Sequence, residues 1–434
     1  MANFKSMRKT VQSKAICLVM GVLVILATSA TCFATNGYMP ISASVAGHGV
    51  VGAGIADVPN AMGGVANPGG LAFTGTQTDA GFGFFMPSRK VTITGAPSGA
   101  LGSVPLAPGE HKSGNNFFVV PSYGKTWKKT DDTVIGFSFC GNGGMNTEYG
   151  NEIFAPGMNP TNTTPVGVNL AQMCFATSYA KKINEKHGLG IALLTPVQMF
   201  RAQGLQAFGG ASSDPTALTN NGTEMSFGVG FRVGYMGEIT DKLNIGISYM
   251  SDVKMSEFDD YAGLFAEQGD FDIPGGITVG IKYEIDDAFK FLFDYQKINY
   301  GGVNSISNPM MPNMMGSQLG DDDGAGFGWE DQDIYKFGLV WKKDEKLTYR
   351  IGYSCASQII PTSETMFNIL APATIRKHAG FGVSKKLTEK KILHMAVSRA
   401  FGETVDGSNL TDPGQDIAIY MDQWKVSVGY TWLY

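Results

Sequence analysis

The chain has 434 residues, of which 33 are Lys or Arg, 38 are Asp or Glu and 57 are Gly. A net charge of −5 gives no basic excess to neutralise phosphates, so nucleic-acid binding is excluded, and 27 Phe, 16 Tyr and 5 Trp exclude a disordered chain. Beyond the first thirty residues no run approaches the roughly 18 unbroken apolar positions of a spanning helix, which leaves a Gly- and aromatic-rich β protein.

The N-terminus reads as an export signal. Lys5, Arg8, Lys9 and Lys14 form a basic region, residues 15–30 an apolar stretch, and Cys32-Phe33-Ala34 a small-x-small site for cleavage after Ala34. Residues 1–34 are therefore expected to be removed. A retained anchor is the alternative, although the apolar run is short for a span. Ser29 stands where a lipoprotein cut before Cys32 would need a large aliphatic residue. Cys140, Cys174 and Cys355 remain in the mature chain, an odd number that allows at most one internal disulfide. Free thiols are the default, and whether any pair forms is left open. No CxxC or Cys/His cluster suggests zinc.

Residues 35–76 are small and Gly-rich with weak alternation. From residue 78 onward the period is two. In residues 226–235 Phe227, Val229, Phe231, Val233 and Tyr235 fall on one face, with Ser226, Gly228, Gly230, Arg232 and Gly234 on the other. Residues 277–285 and 424–434 repeat the pattern, so these are strands. Period two alone does not choose between a soluble core and lipid for the apolar face. The export signal, aromatic residues at strand ends and a final strand closing on aromatic Tyr434 favour lipid.

Strands are expected near 78–90, 115–127, 132–147, 170–184, 187–202, 225–240 and 243–255, then near 275–286, 288–300, 333–343, 346–358, 375–387, 391–402 and 420–434. The even count and the alternation of short turns with long connections, notably 203–224 and 301–332, predict an all-β protein. Its form is a 14-stranded antiparallel transmembrane β-barrel over residues 77–434. Such a lumen is too wide for wall side chains to fill, so residues 35–76 are expected to be an N-terminal hatch inside it.

The order of several short motifs resembles the FadL/TodX family of outer-membrane transporters for hydrophobic compounds. The carriers are Thr35-Asn36-Gly37-Tyr38, Gly52-Ala53-Gly54-Ile55-Ala56-Asp57 and Asn67-Pro68-Gly69, then Gly326-Phe327-Gly328-Trp329, Phe367-Asn368 with Ala371-Pro372-Ala373, and the aromatic last strand. The resemblance implies a hatch gate at Asn67, Pro68 and Gly69, and a kink in the third strand that opens the wall sideways. It also implies passive uptake of long-chain fatty acids or hydrocarbons at the bacterial outer membrane. Gly141, Asn142, Gly143 and Gly144 are the expected kink, since clustered Gly weakens a strand and favours a bulge. An ordinary Gly-rich lumen face is the rival reading. The hatch turn is expected to occupy the kink.

External capture is placed between the two long loops, at Met310, Met311, Met314 and Met315 with Phe208, because Met repacks around varied apolar ligands; packing of the loops against each other is the alternative. Asp321-Asp322-Asp323 departs from the EF-hand spacing and reads as a solvated turn. Arg201, Arg232 and Lys282 are candidate partners for a fatty carboxylate. The expected partners are a hydrophobic small molecule, or detergent in its place, and outer-membrane lipid; a monomer is expected, with no cofactor, metal or catalytic residue. His48, His111, His187, His378 and His394 show no nucleophile context, so an enzyme is disfavoured, and a diffusion porin is the alternative function.

Overall fold

The computed structural model describes residues 36–100, 102–150, 153–154, 164–311 and 313–434; the expected export signal and its cleavage site lie outside them. Seventeen strand segments form one sheet. They are β1 (Gln77–Gly95), β2 (Gly109–Lys112), β3 (Phe118–Lys128), β4 (Thr133–Asn146), β5 (Gly167–Asn184) and β6 (His187–Leu194). The next are β7 (Val197–Gln203), β8 (Glu224–Thr240), β9 (Leu243–Met250), β10 (Lys254–Met255), β11 (Gly276–Glu284) and β12 (Phe289–Ile298). The last are β13 (Gln332–Lys342), β14 (Leu347–Ala356), β15 (Lys377–Thr388), β16 (Lys391–Ser408) and β17 (Gln415–Leu433).

Three wall strands are interrupted. β2 and β3 both pair with β1, β6 and β7 both pair with β5 and β8, and β9 and β10 both pair with β8. Fourteen antiparallel wall strands result, and β1 pairs with β17 from Gln77↔Leu433 to Gly95↔Gln415, which closes the barrel. All fourteen expected strands are present. The first and last run farther than expected, to Gly95 and back to Gln415, and β16 reaches Ser408. The cause is visible in the sequence: Val91, Ile93, Val405, Ile417 and Ile419 continue the alternation and are buried beneath the loops.

The apolar face points outward. Phe227, Val229 and Phe231 are 58%, 55% and 45% exposed, while Ser226 on the opposite face is fully buried. The same holds for Leu189, Ile191 and Leu193 on β6. An apolar band on the outside with polar and glycine residues inside is a lipid-facing wall. No helix among the described residues is long and apolar enough to cross a membrane.

The two ends of the barrel differ. Turns of a few residues, such as 185–186 and 389–390, join strands at one end. At the other, connections 204–223, 256–275, 299–331 and 357–376 fold over the mouth around one apolar cluster that includes Phe200, Phe258, Tyr261, Phe265, Tyr300 and Trp329. Trp329 Nε1 donates to Asn368 Oδ1 at 2.6 Å, and Asn368 Nδ2 donates to the Phe327 and Glu364 carbonyls, both at 2.7 Å. Two motifs forty residues apart in sequence thus meet as one satisfied buried network.

Candidate functional site

Residues 36–76 run along the inner face of the wall. Three short helical turns, Val45–His48, Ala61–Val65 and Pro68–Phe73, are N-capped by Ser44, Asn60 and Asn67. Such turns leave many backbone groups unpaired, and wall side chains take several of them. Asp294 on β12 accepts from the Gly54 and Ile55 amides at 2.8 and 3.0 Å, and Asp79 on β1 accepts from Ala61 at 2.8 Å. The Ala66 carbonyl receives the Ser248 hydroxyl at 2.8 Å and the Arg232 guanidinium at 3.3 Å. His48 bridges its own segment and the wall, with Nε2 3.0 Å from the Ser42 carbonyl and Nδ1 3.1 Å from Ser427 Oγ on β17. Burial, then the nearby Lys425 ammonium, holds this imidazole well below its usual pKa and keeps it neutral.

The wall glycines explain how backbone comes this close. A Cβ on Gly234 would stand 2.1 Å from Asn67 Oδ1, and one on Gly190 would stand 2.4 Å from the Pro68 carbonyl. On Gly246 and Gly352 it would strike Ile55 and Val50 backbone. Part of the high Gly content is thus a set of seats for the inner segment.

These contacts correct one expectation. Asn67, Pro68 and Gly69 do not occupy the third-strand kink; they sit against β6 and β8, where Asn67 Nδ2 donates to the Ile55 and Tyr235 carbonyls at 2.8 and 2.9 Å. Gly69 has no room for a side chain, since a Cβ would meet the Gly234 carbonyl oxygen at 2.5 Å.

β4, the third wall strand, parts from β3 along its length. β3 and β4 pair only from Lys128↔Val134 to Ser122↔Cys140. Beyond Cys140, β4 stays with β5 as far as Asn146↔Asn169, with a register shift between Gly141 and Gly143. β4 thus leaves β3 residues 118–121 without a partner on that side, and the wall forks. Gly143 has φ 153°, and a Cβ there would meet the Tyr38 carbonyl oxygen at 2.6 Å. The Gly144 amide, freed by the fork, donates to that same Tyr38 carbonyl at 3.2 Å. Asn142 Nδ2 is 3.4 Å from Gln172 Oε1. Residues 37–41, and not the Asn67 turn, close the fork from inside. Pairing between residues a hundred positions apart leaves no local trace in sequence, which is why the wrong segment was expected there.

A cavity of about 420 Å³ fills the fork. Its inner side carries Arg89, Gln172, His378, Gln423 and Lys425, its floor Tyr38 to Ile41, and its outer rim Val119 and Met199, which are 57% and 45% exposed on the lipid-facing side. Arg89 donates to the Asn115 and Asn146 carbonyls. Lys425 makes no ion pair among the described residues. Gln172 Nε2, His378 Nε2 and Gln423 Oε1 are buried without hydrogen-bond partners. None of these residues stood out in the sequence beyond His378; the signal available was their inward register on strands lining the kink.

Of the expected carboxylate partners, Arg201 lies in outward register beside Met199, Lys282 pairs with Glu284 at 2.9 Å, and Arg232 binds the inner segment. None lines the fork.

At the loop end an apolar crevice of about 40 Å³ is lined by Met145, Val168, Phe200, Phe208 and Phe367, among others. Phe208 lines this crevice. Of the Met cluster, none lines it: Met310 is buried in the loop core, Met311 and Met314 pack against it, and Met315 is 80% exposed. The loop-packing alternative describes Met310, whose amide is also tied to Glu364 at 2.8 Å. No group of acidic, His or Cys side chains among the described residues is arranged to hold a metal ion.

The family model described as outer membrane protein transport protein (OMPP1/FadL/TodX) matches residues 24–431. Among solved structures, the Pseudomonas putida toluene transporter TodX is similar at 16% identity and a TM-score of 0.67, covering 91% of this chain and 99% of that one. A Pseudomonas aeruginosa FadL homologue gives 14%, 0.67, 91% and 99% in the same order. The Ralstonia pickettii toluene transporter TbuX gives 16%, 0.58, 92% and 99%. At these identities the likeness is one of fold. No curated protein matches the chain.

Proposed function

The chain belongs to the OMPP1/FadL/TodX family of outer-membrane transport proteins, and from that premise we propose that it takes up amphiphiles with an apolar body and an oxygen-bearing, anionic head, releasing them sideways into the membrane. Residues 36–76 act as the hatch that denies water and ions a straight path. The crevice around Phe208 receives the apolar body from outside. The cavity in the fork between β3 and β4 is the way out, and it is the observation that carries this reading, because one continuous space links lumen-facing polar groups to the lipid-facing rim.

The physical case for lateral release is one of solvent. Each CH₂ kept from water is worth roughly 0.8 kcal/mol, so discharge into the periplasm would be strongly uphill for a long chain. The case for an anionic head rests on the wall groups. A hydrocarbon would leave Lys425, Gln172 Nε2 and His378 Nε2 with nothing to bond, and orphaned buried polar groups are costly. A carboxylate supplies acceptors for all three. Phe85, Met173 and Met421 offer apolar surface to the rest of the molecule.

Uptake into proteoliposomes tests this. Lys425→Met should weaken uptake of a long-chain carboxylate by about ten- to a hundredfold, the usual cost of one charge-assisted hydrogen bond, and leave that of an alkane of equal length unchanged. Equal loss for both ligands would refute the head-group assignment while leaving the lateral route standing.

A further inference from the structure

The wall sets two of the three cysteines face to face. Cys140 on β4 is directly opposite Cys174 on β5 in the antiparallel ladder, and both side chains are buried on the inward side, at 3% and 6% exposure. Directly opposed residues in such a ladder have Cα atoms roughly 4.5–5.5 Å apart, inside the range of about 4.4–6.8 Å that a disulfide spans. Cys355 has no such neighbour; it stands on β14 opposite Tyr335 and Lys377. The position of the pair is specific. Cys140 is the last β4 residue paired with β3, through Ser122, and the register shift of the kink begins at the next residue, Gly141.

We propose that Cys140 and Cys174 are a covalent modification site, oxidised to a disulfide that staples β4 to β5 at the foot of the wall fork. The bond does not depend on the transport reading. Its chemistry is thiol–disulfide exchange with a disulfide-bearing oxidoreductase of the exporting compartment. One thiolate attacks the oxidant's disulfide and forms a mixed disulfide, expelling the oxidant's second sulfur as a thiol. The other cysteine, as thiolate, then attacks its partner's sulfur and expels the first. Two S–H bonds are lost, one S–S bond forms, and the two electrons and two protons end on the oxidant as a dithiol. The exchange takes place before the wall closes, because the folded barrel buries both sulfurs. Once closed in, the bond is equally shielded from reductants. The staple then holds β4 on β5 where β4 has given up β3, so the strand can bend at Gly141 to Gly143 without unzipping farther down the wall.

The sequence makes the test direct, since no Lys or Arg lies between residues 133 and 180. Full-length protein extracted from outer membranes is denatured in alkylating reagent without reductant and digested with trypsin. Cys140 and Cys174 should then be found unlabelled on one peptide about 2 Da lighter than its dithiol form, with Cys355 labelled. Cleavage after Glu148 or Glu152 should give two fragments that separate only after reduction. Labelling of Cys140 and Cys174 without reductant, or a link from either to Cys355, would overturn the proposal. The Cys355→Ser variant must give the same linked fragments; loss of the link there would show scrambling and overturn it equally. The Cys140→Ser, Cys174→Ser double variant should lose its folded gel mobility at a lower temperature than the wild-type barrel, both heated without reductant. Equal transition temperatures would remove the stapling role.

Discussion

Asn67 is fully buried, and its side chain uses its hydrogen-bonding capacity inside the barrel: Oδ1 accepts from Gly69, and Nδ2 serves the Ile55 and Tyr235 carbonyls. Asn67→Ala would remove both Nδ2 bonds and take this donor from the buried Ile55 carbonyl, at about 1–3 kcal/mol. The loss falls on the seating of the inner segment, because the β6–β8 ladder is untouched. The expected outcome is a barrel that assembles normally yet shows intermittent ion conductance in planar bilayers, and a recording as quiet as wild type would contradict it. His48 adds a pH dependence to the same seating. Its imidazole is held well below the ordinary value of about 6.5 when buried, and returns to that value if the segment leaves the wall. The seated state therefore loses stability as pH falls below 6.5, by up to about 1.4 kcal/mol per unit. Bilayer conductance should rise between pH 6.5 and 5, and His48→Gln, which cannot take up a proton, should flatten that rise. The Asn67 motif was legible as a motif, but its address was not. Its seat consists of two glycines on β6 and β8 whose lack of a side chain gives no sign of what fills the space.

At the level of elements, the proposed exit route rests on β4. Its alternation was readable, with Val134, Ser138 and Cys140 inward and Ile135, Phe137 and Phe139 outward, and so was the glycine run that breaks it. What sequence did not reveal is that β3 stops pairing at Ser122, since nothing in Phe118 to Pro121 distinguishes a paired from an unpaired edge except Pro121, which lacks an amide donor. Replacing Gly143 and Gly144 by Val tests the element as a whole. Val at 143 is strained at φ 153° and meets Tyr38, and at 144 it meets the Leu170 carbonyl oxygen at 2.5 Å. Relief requires β4 to lose the bulge and run straight, which draws it toward β3 and displaces residues 37–41. Transport should fall at least tenfold, while ligand binding at the outer loops and outer-membrane assembly persist. Normal transport by the double variant would remove the fork from the mechanism.

At the scale of the molecule, two structures with different demands share one chain. The wall is held by strand-to-strand ladders closed by β1 on β17, and nothing in that closure requires residues 36–76. The inner segment has the opposite character: it has short turns and little strand of its own, and its backbone is satisfied by Asp79, Asp294, Arg232 and Ser248 of the wall. Its removal would therefore expose those polar groups to water in the lumen, which solvates them, and would leave the wall ladders intact. Deleting residues 36–66 should yield a barrel that still migrates as a folded species when unheated, since its lipid face and hydrogen-bonded closure are unchanged. The same protein should conduct ions steadily, because a 14-stranded wall encloses more space than its side chains fill. It should also lose lateral transport, since Tyr38 no longer takes the Gly144 amide at the fork and a ligand entering the lumen meets water instead of the cavity floor. Folded but silent recordings would mean that the loops over the mouth, with their cluster around Trp329 and Phe265, seal the barrel on their own, and the inner segment would then be left with the fork alone.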